Sequence, residues 1–127
     1  MINLFEIAER DGIAVELFGC PKSKSFAIDR NIALDYDLFG REERSHLAHE
    51  LGHCETGAFY NRYAAADIIE KQERRADRWA IINTVPEDDL ALAVRRGVTE
   101  VWELAEYFGI SEDLMRKAIL YYQSKPA

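Results

Sequence analysis

The chain has 127 residues, 48% of them hydrophobic and 31% charged, with a formal net charge of −7. That length fits one globular domain over 1–127 and leaves no room for a second independent core. The acidic balance argues against general affinity for nucleic acid or anionic membranes, and no run approaches the ~20 apolar residues of a membrane span.

The start, MINLFEIAERDG, lacks a basic opening followed by an apolar run, so no secretory leader is expected. Apolar spacing at Leu4, Phe5, Ile7 and Ala8 predicts a helix over 3–10, ended by Asp11 and Gly12. Residues 13–17 alternate as a strand, and Gly19 and Pro21 mark a loop. Two short β-prone runs, 25–29 and 32–36, flank Arg30 and Asn31 and suggest a hairpin. Residues 1–40 therefore read as a helix and a small antiparallel sheet. Cys20 and Cys54 are too few and too far apart for a disulfide scaffold, so a cytoplasmic protein with reduced thiols is expected, Cys54 being a core thiol.

Past Gly40 the spacing becomes helical. A helix is expected over 42–54, with Glu42 and Glu43 at its positive end and Gly57 as a stop. A longer one runs from a cap at Asp67 to about 83, before Pro86. Together, 41–85 hold the candidate site. Further helices over 87–96, 99–108 and 111–122 make up a C-terminal bundle over 86–127. The fold class is α+β, a small antiparallel sheet followed by an active-site helix and helical bundle.

The three histidines, His46, His49 and His53, fall within eight residues. His49-Glu50-Leu51-Gly52-His53 is an HExxH pattern. Positions i and i+4 share a helix face, ~6 Å apart along the axis, so both imidazoles can reach one zinc ion. Glu50, rotated by about 100°, can instead contact the metal-bound water and take its proton as it attacks a carbonyl. Leu47, Leu51 and Cys54 form an apolar stripe opposite the histidines. Gly52 costs its helix ~1 kcal/mol relative to alanine, which the close approach of another backbone would justify. His46 lies ~10 Å from His53 along the axis, too far to share the ion, and is expected to be partly exposed or to help line the cleft.

A third ligand is required. Ile69, Glu73, Ala76 and Ala80 share the inward face of the 67–83 helix, opposite Lys71, Arg74, Arg75 and Arg78. A carboxylate on an inward stripe needs a partner, and zinc would supply one for Glu73. Asp77, one turn later, can accept the free N–H of a zinc-bound histidine, His49 being the favoured partner. Manganese or iron would also suit two imidazoles and a carboxylate. Tyr60, Arg62 and Tyr63 lie between the two ligand helices as candidates for oxyanion stabilisation.

SHLAHELGH (45–53) and ERRADRWA (73–80) together resemble the helical motifs of the ImmA/IrrE metallopeptidase family, and the resemblance spans roughly 1–120. It implies a gluzincin-like zinc endopeptidase, with His49, His53 and Glu73 as ligands and Glu50 as catalytic base. It also implies a helix-turn-helix repressor as protein substrate, an anti-repressor role. Asp77 stands where Asn is commoner in that family, and Trp79 where Phe is usual. Two other readings stay open. One is a metal-bearing protein that captures a repressor without cutting it. The other is a DNA-binding regulator using the 99–122 helices, because 104–119 resemble a helix-turn-helix. Charge opposes the second: residues 87–113 carry Glu87, Asp88, Asp89, Glu100, Glu103, Glu106, Glu112 and Asp113 against Arg95 and Arg96.

Overall fold

The asparagine side chain of Asn3 accepts hydrogen bonds from the N–H groups of Phe5 and Glu6 and so starts the first helix, α1 (Leu4–Arg10). The structure, a computed structural model, describes residues 2–19, 23–61 and 63–125. After α1 come β1 (Ala14–Phe18), β2 (Ser25–Ile28) and β3 (Asn31–Asp35). The helices α2 (Gly40–Thr56), α3 (Ala66–Thr84), α4 (Glu87–Arg95), α5 (Val101–Phe108) and α6 (Glu112–Ser124) follow.

The sheet corrects one expectation. It is mixed rather than antiparallel, in the order β1-β3-β2, with β1 parallel to β3 and β2 antiparallel to it. Alternation within a strand encodes which face is buried, not which neighbour it pairs with. The chain leaving β1 carries β2 past a vacant lane, and β3 returns into that lane running the same way as β1. The hairpin turn is Asp29-Arg30, one residue earlier than expected, with Asp29 in the left-handed region at φ 55°. Aspartate tolerates that conformation better than most residues. Because β3 is central, Ile32, Ala33, Leu34 and Asp35 are all buried, a continuous run rather than an alternation.

The α2 helix lies against this sheet on one side and α3 on the other. Leu47, Leu51 and Cys54 are buried as the apolar stripe required. The Cys54 thiol donates to the Asp29 carbonyl, and burial pushes its pKa up to about 11. At the crossing with α3, a Cβ on Gly52 would sit 2.3 Å from the Ala76 carbonyl oxygen. Glycine is thus the residue that lets the two backbones meet, and Ala76 and Ala80, both fully buried, complete the close packing. Arg75 is a departure from the solvated face expected for it. Its guanidinium donates to the Thr56 carbonyl at 2.8 Å, at the negative end of α2.

The C-terminal helices are fastened to α2 by two consecutive residues. Arg44 donates to the Phe108 carbonyl at the end of α5 (2.8 Å) and to the Ile2 carbonyl (3.1 Å). The Ser45 hydroxyl oxygen accepts from the Ser111 N–H (2.7 Å), which begins α6. A cation meets the negative pole of one helix and an oxygen acceptor the positive start of the next. One hydrophobic cluster runs from Leu4 and Ile7 through Leu34, Leu47 and Leu51 to Leu104, Met115 and Ala118. Among the described residues no helix is long and apolar enough to cross a membrane.

Candidate active site

The HExxH spacing places both imidazoles on one face of α2, four residues apart. His49 Nε2 and His53 Nε2 lie 3.2 Å from each other. The Glu73 carboxylate reaches across from α3, with Oε2 2.8 Å from His49 Nε2 and 3.2 Å from His53 Nε2. His49, Glu50 and His53 also present one ligand atom each within 4.8 Å of one another.

The outer nitrogen of each ring fixes where its proton sits. His53 Nδ1 donates to the Ala58 carbonyl at 2.5 Å, an acceptor with no proton of its own. His49 Nδ1 lies 2.8 Å from Asp77 Oδ1 and donates to that carboxylate. Both rings therefore turn an Nε2 lone pair inward, toward each other and toward Glu73 Oε2. Three lone-pair donors facing one point repel unless a proton or cation lies among them. Tetrahedral bonds of ~2.0–2.2 Å would set ligand atoms about 3.3–3.6 Å apart, a few tenths of an ångström wider than these. Two imidazoles and one carboxylate, with a fourth position open to the cleft, have the composition of a catalytic rather than a structural metal site.

The electrostatics agree with that arrangement. Burial works against charge on His49, but its hydrogen bond to Asp77 and the carboxylates of Glu50 and Glu73 outweigh it and raise its pKa. Burial likewise pushes Glu73 up, yet the Tyr60 hydrogen bond and the two imidazoles bring it below its ordinary value. Asp77 is also pushed up by burial and brought down further by His49 and Lys117, whose ammonium stands 3.2 Å from Oδ2.

Of the three oxyanion candidates, Tyr60 reaches this cluster. Its hydroxyl donates to Glu73 Oε1 at 2.5 Å, which raises its pKa to about 12. Tyr63 is largely exposed, and Arg62 lies outside the described residues, as does Cys20. His46 is half-buried and lines the cleft, as expected of it.

Three contributors had no sequence signal strong enough to single out. Ala58 acts through a backbone carbonyl, which every residue has. Lys117 is one lysine among several on an amphipathic helix. Ser25, the first residue of β2, donates from Oγ to Glu50 Oε2 at 2.7 Å and touches His46 Nδ1 at 2.8 Å.

Two recesses meet at the cluster, both lined by His49 and Glu73. The one beside His53, about 230 Å³, is walled by Phe26, Ala27, Ala58, Phe59 and Tyr60. The one beside His49, about 350 Å³, is walled by Glu42, His46, Asp77, Asp113 and Lys117. The start of α6 is thus a wall of the cleft. A larger hollow of about 480 Å³, lined by Ile82, Asn83, Pro86 and Tyr107 among others, lies apart from these groups. Among the described residues its ionisable side chains are Asp89 and Tyr107.

No curated protein matches the chain. A family model described as Peptidase_M78, IrrE N-terminal-like domain, matches residues 11–120, which include every element from β1 to most of α6. With the HExxH cluster in place at its centre, the chain belongs to the ImmA/IrrE family and is a metallopeptidase.

Proposed function

We propose that residues 1–127 act as a single endopeptidase domain in the cytoplasm, cutting a helix-turn-helix repressor with one zinc ion held by His49, His53 and Glu73. The observation that carries this reading is the convergence of three lone pairs, two of them with their tautomers set by Ala58 and Asp77. A bound divalent ion supplies Lewis-acid polarisation of an attacking water and of the substrate carbonyl.

The remaining work falls to side chains. Glu50, 5% exposed and one residue past His49, takes the proton of the attacking water and returns it to the leaving amine nitrogen. Asp77 orients His49 and keeps its Nδ1 protonated. Tyr60 holds the outer oxygen of Glu73, which leaves Oε2 aimed inward. Among the described residues β2 pairs only with β3, which would leave its outer edge to an extended peptide beside the recess that contains Phe26 and Ala27. A chain with net charge −7 also suits a substrate that carries a basic DNA-binding face.

The test is Glu50→Gln, assayed with recombinant helix-turn-helix repressors and with metal content measured alongside. One zinc per chain, with cleavage abolished, is the expected result. Undiminished repressor inhibition by that variant would replace cleavage with capture. Failure of the wild-type chain to take up zinc would overturn both.

A further inference from the structure

His46 has no place in the proposed ligand set, yet it is joined to the base. It stands one turn before Glu50 on α2, so the two side chains share a face. Ser25, at the start of the edge strand β2, fills the space between them, with Oγ 2.8 Å from His46 Nδ1 and 2.7 Å from Glu50 Oε2. A serine hydroxyl has one proton. A carboxylate oxygen accepts it, so the remaining Oγ lone pair must accept from His46, whose proton then sits on Nδ1. The chain runs in one direction: His46 Nδ1–H to Ser25 Oγ, and Ser25 Oγ–H to Glu50 Oε2.

From this geometry we infer that Ser25 and His46 are positioning residues for the catalytic base. The inference rests on the peptidase reading above. A buried carboxylate with one oxygen held cannot turn about its last side-chain bond, and its other oxygen stays presented to the reacting atoms. The anchor is on the sheet and the carboxylate on the helix, so the link also fixes the base relative to the strand edge along which a peptide would lie. Neither residue touches His49, His53 or Glu73 by hydrogen bond or ion pair among the described residues, which separates this role from metal binding.

Two readouts test it on the full chain. In the metal-free protein, at a pH where the imidazoles are neutral, ¹H–¹⁵N correlation of the histidine rings reports which nitrogen carries the proton. The Nδ1–H form is expected for His46, shifting toward Nε2–H in Ser25→Ala. An Nε2–H form in the wild type overturns the chain of bonds. In the zinc-loaded protein, a proteome-derived peptide library, and then the peptide cleaved fastest, serves as probe. Ser25→Ala and His46→Leu should each lower kcat about ten- to a hundredfold, with KM and zinc per chain unchanged. Ser25→Thr, which keeps the hydroxyl, and His46→Asn, which keeps a donor near Nδ1, should restore most of the rate. Unchanged kcat in Ser25→Ala, or a loss that follows zinc content, overturns the positioning role. A zinc-loaded wild type that cleaves no peptide overturns the peptidase reading instead, a result distinguishable from either.

Discussion

His49 and His53 stand one helical turn apart and aim the same nitrogen at the same point, yet they are held by groups of opposite character. The His53 side chain is 9% exposed, donates to the neutral Ala58 carbonyl, and has the Phe59 ring stacked at 6.0 Å. The His49 side chain is 26% exposed, donates to ionised Asp77, and through it is linked to Lys117 on α6. The recess with the aromatic walls of Phe26 and Phe59 lies on the first side and the one with Asp77, Asp113 and Lys117 on the second. The more exposed histidine is thus held by a formal charge that water can still screen, and the more buried one by a backbone dipole. An ion in the cleft would meet a strong donor at His49 and a more weakly supported one at His53.

The difference can be broken at several points. The largest effect is expected where both sides depend on one acid: Glu73→Gln should weaken zinc binding, read by chelator competition, by more than the ~100-fold that losing an outer hydrogen-bond partner costs. Next is the helix crossing that brings the sides together. Gly52→Ala gains ~1 kcal/mol of helix propensity but drives a Cβ to 2.3 Å from a backbone oxygen, so overpacking wins and a net loss of about 2 kcal/mol is expected in denaturant unfolding.

Asp77→Asn tests the charged side alone. It keeps the shape and removes the charge, and zinc affinity should fall ~10- to 100-fold. The His53 side has no side chain to delete, but Gly57, at φ 66°, sets the turn that presents the Ala58 carbonyl. Gly57→Ala should cost about 1 kcal/mol of stability and reduce zinc affinity less than Asp77→Asn does.

The smallest effect is in the pH dependence of the metal-free protein. Glu73 and Asp77 are lowered on folding from ordinary values of 4.5 and 3.8, so their contribution is present above those values and lost as pH falls below them. His49 is raised above 6.5, so its contribution is present below that value and lost as pH rises through the folded pKa. Through these three groups the apoprotein should lose thermal stability below about pH 4 and again as pH rises above about 6.5, and the second loss should shrink in Asp77→Asn.

The readable parts of the molecule were those where one element carries its own information. The four-residue interval of His49 and His53, the misplaced carboxylate of Glu73, and the glycine at 52 each report through helix periodicity. Asp77 was reachable in the same way, as the next turn of the same face. The parallel pairing of β1 with β3 was not, because a strand's alternation is silent on its neighbour. Ser25 was out of reach for a related reason: it meets Glu50 across 25 residues of chain, from a strand to a helix. Ala58 contributes an atom that sequence cannot distinguish, and Lys117 acquires its partner only because α6 packs beside α3.

The fastening of Arg44 and Ser45 to the turn between α5 and α6 has a consequence for synthesis. The histidines and Glu73 leave the ribosome well before the turn and Lys117, which arrive 64 to 66 residues after Arg44 and Ser45 and 40 residues after Asp77. Until then the start of α2 has only the N-terminal segment against it, the Asp77 charge has no lysine, and the cleft lacks the wall formed by Asp113 and Lys117. A nascent chain can therefore bring His49, His53 and Glu73 together before the α6 wall of the groove has emerged.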